Sequence, residues 1–199
     1  MLSRFENILE HMNKEREYYD GMLAILALTL MDYPPSITTL VDLCGDRVLE
    51  PGFRRDAAIR ELIDFSGGEV RIRSSIAAEF VLRRIANPNT VVSVLLRIAK
   101  AAERAAYASR YHYGLFKRLM LFSNVQQLFP ENERRRGVMR YYEGVKVLGR
   151  ARNNPLFWLQ YAIACLVFED LERAGTYFET AYSFAKDLNQ YDTFQIDNH

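Results

Sequence analysis

The sequence predicts a mainly α-helical chain with one small β-hairpin, ending in antiparallel helical hairpins. Three observations carry this. From Thr90 onward, Val91, Val94, Leu95, Ile98, Ala102 and Ala105 recur at helical spacing and form one continuous face. The strongest strand signal surrounds Gly67-Gly68, where Val70 and Ile72 alternate with Arg71 and Arg73. From Asn154 to Asp187, small residues fall where two helices would touch, and Trp158 and Phe178 fall where the space between pairs must be filled.

The bulk composition suits a packed core. Of 199 residues, 49% are hydrophobic and 13% aromatic, which argues against disorder. The formal net charge is +1, so no global field marks a nucleic-acid or membrane binder. Cys44 and Cys165 lie far apart in apolar surroundings and read as buried free thiols, as in a reducing cytosol. The longest apolar run, Gly21 to Met31, is about half the ~20 residues that cross a bilayer, and reads as a core helix. Arg4, Glu6 and Glu10 precede it, unlike a secretory signal, and the expected location is cytoplasmic.

The elements follow in order. Residues 2 to 14 read as a short polar helix with Phe5, Ile8 and Leu9 on one side. Arg16 to about Met31 is a second helix, stopped by Pro34-Pro35. Ser36 caps a helix carrying Ile37, Leu40 and Val41, which Gly45 ends. Pro51-Gly52 marks a turn, and a third helix of this unit is expected from about Arg54 to Ile63. The hairpin is expected over 64–73, with Val70 and Ile72 inward and Arg71 and Arg73 outward; Gly-Gly is a favoured turn dipeptide. Ser74 or Ser75 then caps a helix with Ile76, Phe80 and Val81, closed at Asn87-Pro88-Asn89. Beyond the Val91 face, Leu115, Phe116, Leu119 and Phe122 mark a helix stopped at Phe129-Pro130. Val138, Tyr141, Tyr142, Val145 and Leu148 mark another, ended by Gly149.

Three helices, a hairpin and a further helix resemble a winged-helix domain over residues 16–86. Residues 87–153 then read as linking helical hairpins. Asn154 to Asp187 resembles a tetratricopeptide repeat, a 34-residue helix pair. Trp158 falls at the large aromatic site of the first helix, and Ala162 and Ala174 fall at the small sites where the helices touch. Phe178 and Ala181 fill the next two preferred sites. Lys186 stands where the family places a helix-ending proline, and Cys165 replaces an aromatic. Asn154-Pro155 is a cap followed by proline in the first turn.

Residues 188–199, with Phe194 and Ile196, read as the start of a further repeat in a longer solenoid. Without a capping helix, part of Tyr177, Tyr182 and Phe184 should be exposed, and self-association through this end is expected. A winged-helix-like unit followed by repeats resembles the C-terminal part of signal-transducing P-loop ATPases of the STAND type. The resemblance implies a sensor or arm region of a regulator, including regulators in defence. The phosphate loop GxxxxGK[ST] is absent here, so no nucleotide-binding residue is carried over, and the chain by itself should hydrolyse no nucleotide.

Catalytic and metal chemistry find no support in the residues. His11, His112 and His199 lack a second ligand at i+3 or i+4. There is no GxSxG, and neither cysteine has a basic neighbour in sequence. Glu131/Glu133 and Glu169-Asp170 lie at helix starts or turns, where acids complement the helix dipole. No cofactor is expected. The expected function is a non-catalytic interaction or regulatory module with a protein or peptide partner. The alternative is a DNA-binding regulator. Candidate contacts to nucleic acid or an acidic partner are Arg54, Arg55, Arg60, Arg71 and Arg73, and the cluster Arg134-Arg135-Arg136. Asp56, Glu61, Asp64 and Glu69 interleave with the first group, which favours a solvated face.

Overall fold

The computed structural model describes residues 16–66 and 69–186. The expected N-terminal helix over 2–14 and the start of a further repeat over 188–199 lie outside these residues. The described chain is mainly helical with one two-stranded antiparallel sheet.

Helix α1 (Arg16–Leu30) is the apolar run, and it is enclosed on every side: Met22 through Leu28 are all at most 1% exposed. No helix among the described residues is long and apolar enough to cross a membrane. The stop signal of α1 is not the proline pair itself. Asp32 adopts φ 56°, and its N–H and that of Tyr33 return to the carbonyls of Thr29 and Leu28. This is a Schellman closure with aspartate in the left-handed position usually held by glycine; the prolines only prevent resumption.

Helix α2 (Ile37–Cys44) starts where expected. The Ser36 hydroxyl accepts the Thr39 N–H, and Gly45, at φ 86°, ends the helix. The next stretch differs from the sequence reading. Pro51 is the first residue of a short helix α3 (Pro51–Arg55), not a turn, and the expected single helix is broken at Asp56. Asp56 leaves the helical conformation (ψ 128°), and its carboxylate accepts the Ile59 N–H to start α4 (Ala57–Leu62). A capping aspartate thus divides a segment whose apolar periodicity is continuous. Asp56→Ala should cost about 1 kcal/mol in denaturant unfolding, and Asp56→Asn should recover most of it.

The hairpin pairs β1 (Ile63–Ser66) with β2 (Glu69–Ile72), with Ile63 opposite Ile72 and Phe65 opposite Val70. Val70 is buried, Ile72 half-buried, and Arg71 and Arg73 are exposed. Ile63 begins a strand rather than ending a helix. Helix α5 (Ser75–Phe80) follows the Ser74 cap and runs into a π-helical turn (Val81–Ile85), closed by the Ala86 N–H on the Val81 carbonyl.

Asn87 closes that turn and also caps α6 (Pro88–Ala105), its side chain accepting the Asn89 N–H. The α6 face reads as expected: Val91, Val94, Leu95, Ile98 and Ala102 are buried, and Ala105 is half-buried. This helix joins the two halves. It packs on α1 and α2 on one side, and on α7 (Arg110–Met120) and α9 (Arg134–Val145) on the other. The single helix expected through Phe122 is interrupted. Leu121 is extended, and Phe122 begins the short α8 (Phe122–Gln126). The α7 carbonyls left open by that break are satisfied from α9. The buried Tyr141 and Tyr142 hydroxyls donate to the Leu119 and Met120 carbonyls at 2.9 and 2.7 Å. Gly149 opens a short α10 (Gly149–Arg152) rather than ending α9.

Helices α11 (Pro155–Val167) and α12 (Leu171–Lys186) form the most extensively packed pair in the fold. The Asn154 side chain accepts the Leu156 N–H, with Pro155 in the first turn. Their connection repeats the device at Asp32. Glu169 sits at φ 61°, and the Glu169 and Asp170 N–H groups bond the Leu166 and Cys165 carbonyls. One apolar core runs from Tyr19 in α1 to Ala185 in α12. Both cysteines are free thiols; Cys165 is buried and Cys44 half-buried.

Candidate interaction surface

The five repeat-packing residues occupy one helix pair. Ala162, Ala174 and Ala181 are at most 3% exposed, Trp158 is 9% exposed, and Phe178 is half-buried. The Trp158 indole N–H donates to the Arg152 carbonyl at 2.8 Å. Its ring meets Phe157 edge-on at 5.3 Å and Tyr177 at 5.2 Å. Tyr161 continues this cluster, stacked on Tyr142 at 4.9 Å and 4.5 Å from Tyr177. The aromatic column therefore links α9, α11 and α12. Sequence reasoning marked Trp158 and missed Tyr161, whose position one helical turn later was a readable signal.

A polar network edges this column. The Tyr161 hydroxyl donates to Glu143, which also pairs with Lys146 at 3.0 Å and reaches Arg173 at 4.0 Å. Burial works to raise the Glu143 carboxyl, but the hydrogen bonds from Tyr161 and Lys146 and the nearby positive charges outweigh it and hold it below the ordinary carboxylate range. The Asp170 carboxylate accepts from the Arg173 backbone and side chain. It serves the start of α12, in line with the dipole role expected of that acid pair.

The solvent-facing side of α12 is largely polar, with Glu172, Arg173, Thr176, Glu179 and Ser183 exposed, while Tyr177, Tyr182 and Phe184 are half-buried against the core. At the turn of the pair, Leu166, Val167 and Leu171 are 41%, 53% and 68% exposed.

The candidate arginines differ in exposure and in their partners. The Arg73 guanidinium is committed within the hairpin region, donating to the Arg60 carbonyl at 2.8 Å and pairing with Asp64 at 3.2 Å. Arg55, Arg60 and Arg71 are exposed, while Arg54 is half-buried with its Nε unsatisfied. In the second cluster, Arg135 is exposed, Arg136 lies 3.9 Å from Glu133, and Arg134 is half-buried. His112 is buried beside Tyr111, 3.8 Å from Asp42, in a packing position. Among the described residues, no group of three or more His, Cys, Asp or Glu side chains is placed to hold a metal ion.

A groove of about 1200 Å³ lies between the C-terminal end of α6, α7 and the segment from Gly149 to Leu156. Sequence reading did not find it, because its residues come from three separated stretches. The Arg150 guanidinium lies 3.6 Å from the Tyr107 ring centroid, and the Lys117 ammonium 4.8 Å from that of Tyr113. Comparison of the chain with protein-family models, with curated proteins and with solved structures returns no match.

Proposed function

We propose that this protein is a non-catalytic interaction module that holds a protein or peptide partner in the cytoplasm, using a tetratricopeptide-like helix pair behind a winged-helix-like unit. The supporting observation is the α11–α12 pair. Buried alanines line it within, and at its turn the exposed Leu166, Val167 and Leu171 present apolar side chains to solvent. Solvent-facing apolar surface of this kind is characteristic of binding faces. The role we assign, regulation of a switch such as the sensor or arm region of a STAND-type ATPase, is the one implied by the sequence resemblance. DNA binding is the weaker reading: Arg73 is already engaged, and the remaining arginines lie among acids.

Affinity capture with the full chain tests this, set beside a Leu166→Ser, Val167→Ser, Leu171→Ser variant. All three positions are exposed, so the variant should keep the parent circular dichroism spectrum while its capture of a specific partner falls at least about tenfold. Duplex DNA at about 0.15 M salt should not bind. Undiminished capture by the variant, or tight salt-dependent duplex binding, would overturn the reading.

A further inference from the structure

We infer that the groove between α6, α7 and Gly149–Leu156 is a binding site for short single-stranded nucleic acid, distinct from the interaction surface on α11–α12. Four cations line it, Arg104, Lys117, Arg118 and Arg150, against one lining acid, Glu103; Arg118 is partly committed to the Met31 carbonyl at 3.4 Å and the Asp32 carboxylate at 3.9 Å, which leaves Arg104, Lys117 and Arg150 as the surplus. That acid is already engaged, since its Oε1 accepts the Arg150 backbone N–H at 2.6 Å. The groove therefore offers a surplus of positive charge with its one lining carboxylate partly satisfied, the setting an anion requires.

The aromatic residues narrow the class of anion. Tyr107 is 82% exposed and Tyr113 41% exposed. Neither ring gains much from burial in the fold, yet each is paired with a cation. Arg150 lies against the Tyr107 ring, and the ring remains largely open to solvent. Exposed π faces beside positive charge are what stacked bases and their phosphates use, and an acidic peptide has no need of the rings. The exposed Asn153 adds an amide group at the same wall, suited to a base edge. The two ring–cation pairs, Tyr107 with Arg150 and Tyr113 with Lys117, offer two stacking positions, which favours linked nucleotides over one.

The test is fluorescence anisotropy of the full chain with labelled uridine and thymidine oligomers of about eight nucleotides. The two arms distinguish RNA from DNA as the source. At least one should bind, and affinity should fall as salt rises. Tyr107→Ala should weaken binding by about 5- to 150-fold while Tyr107→Phe retains it, because stacking needs the ring and not the hydroxyl. Arg104→Gln should weaken binding and reduce the salt slope by about one. Binding of neither oligomer overturns the inference. So does binding unaffected by Tyr107→Ala, or polyglutamate competing as well as the oligomers; either outcome would mark a generic anionic surface. These readouts are independent of Leu166, Val167 and Leu171, so this site and the partner-binding surface can fail separately.

Discussion

Replacing Trp158 with alanine should cost about 3–5 kcal/mol, a large part of the stability of a chain this size. The ring is nine-tenths buried and touches Phe157 and Tyr177, and its N–H bonds the Arg152 carbonyl. Truncation removes aromatic contact from the α11–α12 pair and leaves that carbonyl without its indole partner. Trp158→Phe should cost distinctly less, because much of the contact survives. Ala174→Leu should cost about 1–3 kcal/mol through overpacking, since Ala174 is 3% exposed at the start of α12. Thermal and urea unfolding of the three variants separate two explanations. Any buried tryptophan would give the first result, but only close helix contact gives the last. A melt unchanged by Ala174→Leu would count against the repeat-like packing.

Alkali should unfold the protein cooperatively. Burial raises the Tyr141 and Tyr142 phenols above their ordinary value, raises Tyr111 to about 12, and pushes the Cys44 and Cys165 thiols to about 11. All five groups keep their protons longer in the folded state than in the unfolded chain. Their contribution is therefore complete below the unfolded values, about 8.5 for thiols and about 10 for phenols. It is lost as pH climbs through those values toward the folded ones. Urea midpoints should be flat from about pH 7 to 8, fall from about pH 9, and approach zero between about pH 11 and 12. Exposed tyrosines such as Tyr107 can ionise with the fold intact, but the phenolate absorbance of Tyr141 and Tyr142 should appear only with loss of helical circular dichroism. Ionisation of all 12 tyrosines with the helix intact would refute the burial argument. Tyr141→Phe with Tyr142→Phe should flatten the alkaline fall while lowering stability at neutral pH, because the Leu119 and Met120 carbonyls lose their donors.

What was legible in the sequence follows from the range of the interactions. Ser36, Ser74 and Asn154 cap the helices they precede, because capping depends on two or three neighbouring residues. The hairpin and the α6 face follow from alternation and helical period. The Asp56 break was hidden because apolar periodicity continues through it, while a carboxylate decides the backbone. Gly149 was misplaced for a related reason: glycine at the end of an apolar pattern reads as a stop, but here it starts a new turn. The stops at Asp32 and Glu169 use left-handed residues other than glycine, so nothing in composition announces them. The groove was invisible because Tyr107, Lys117 and Arg150 meet only when α6, α7 and α10 are packed. Arg73 spends its donors on the Arg60 carbonyl and Asp64, a pairing across the folded hairpin that sequence spacing does not reveal.

The complete enclosure of α1 bears on how the polypeptide is made. Its shell includes the hairpin, which follows it closely, and α6, which is synthesised much later. A nascent chain that has released only residues up to the π-helical turn carries a sticky apolar rod with one side unshielded. That side is covered only when Pro88–Ala105 clears the ribosome tunnel and docks. This hydrophobic helix thus depends for protection on a segment synthesised well after it. During translation, that interval is when a chaperone has most to offer this protein.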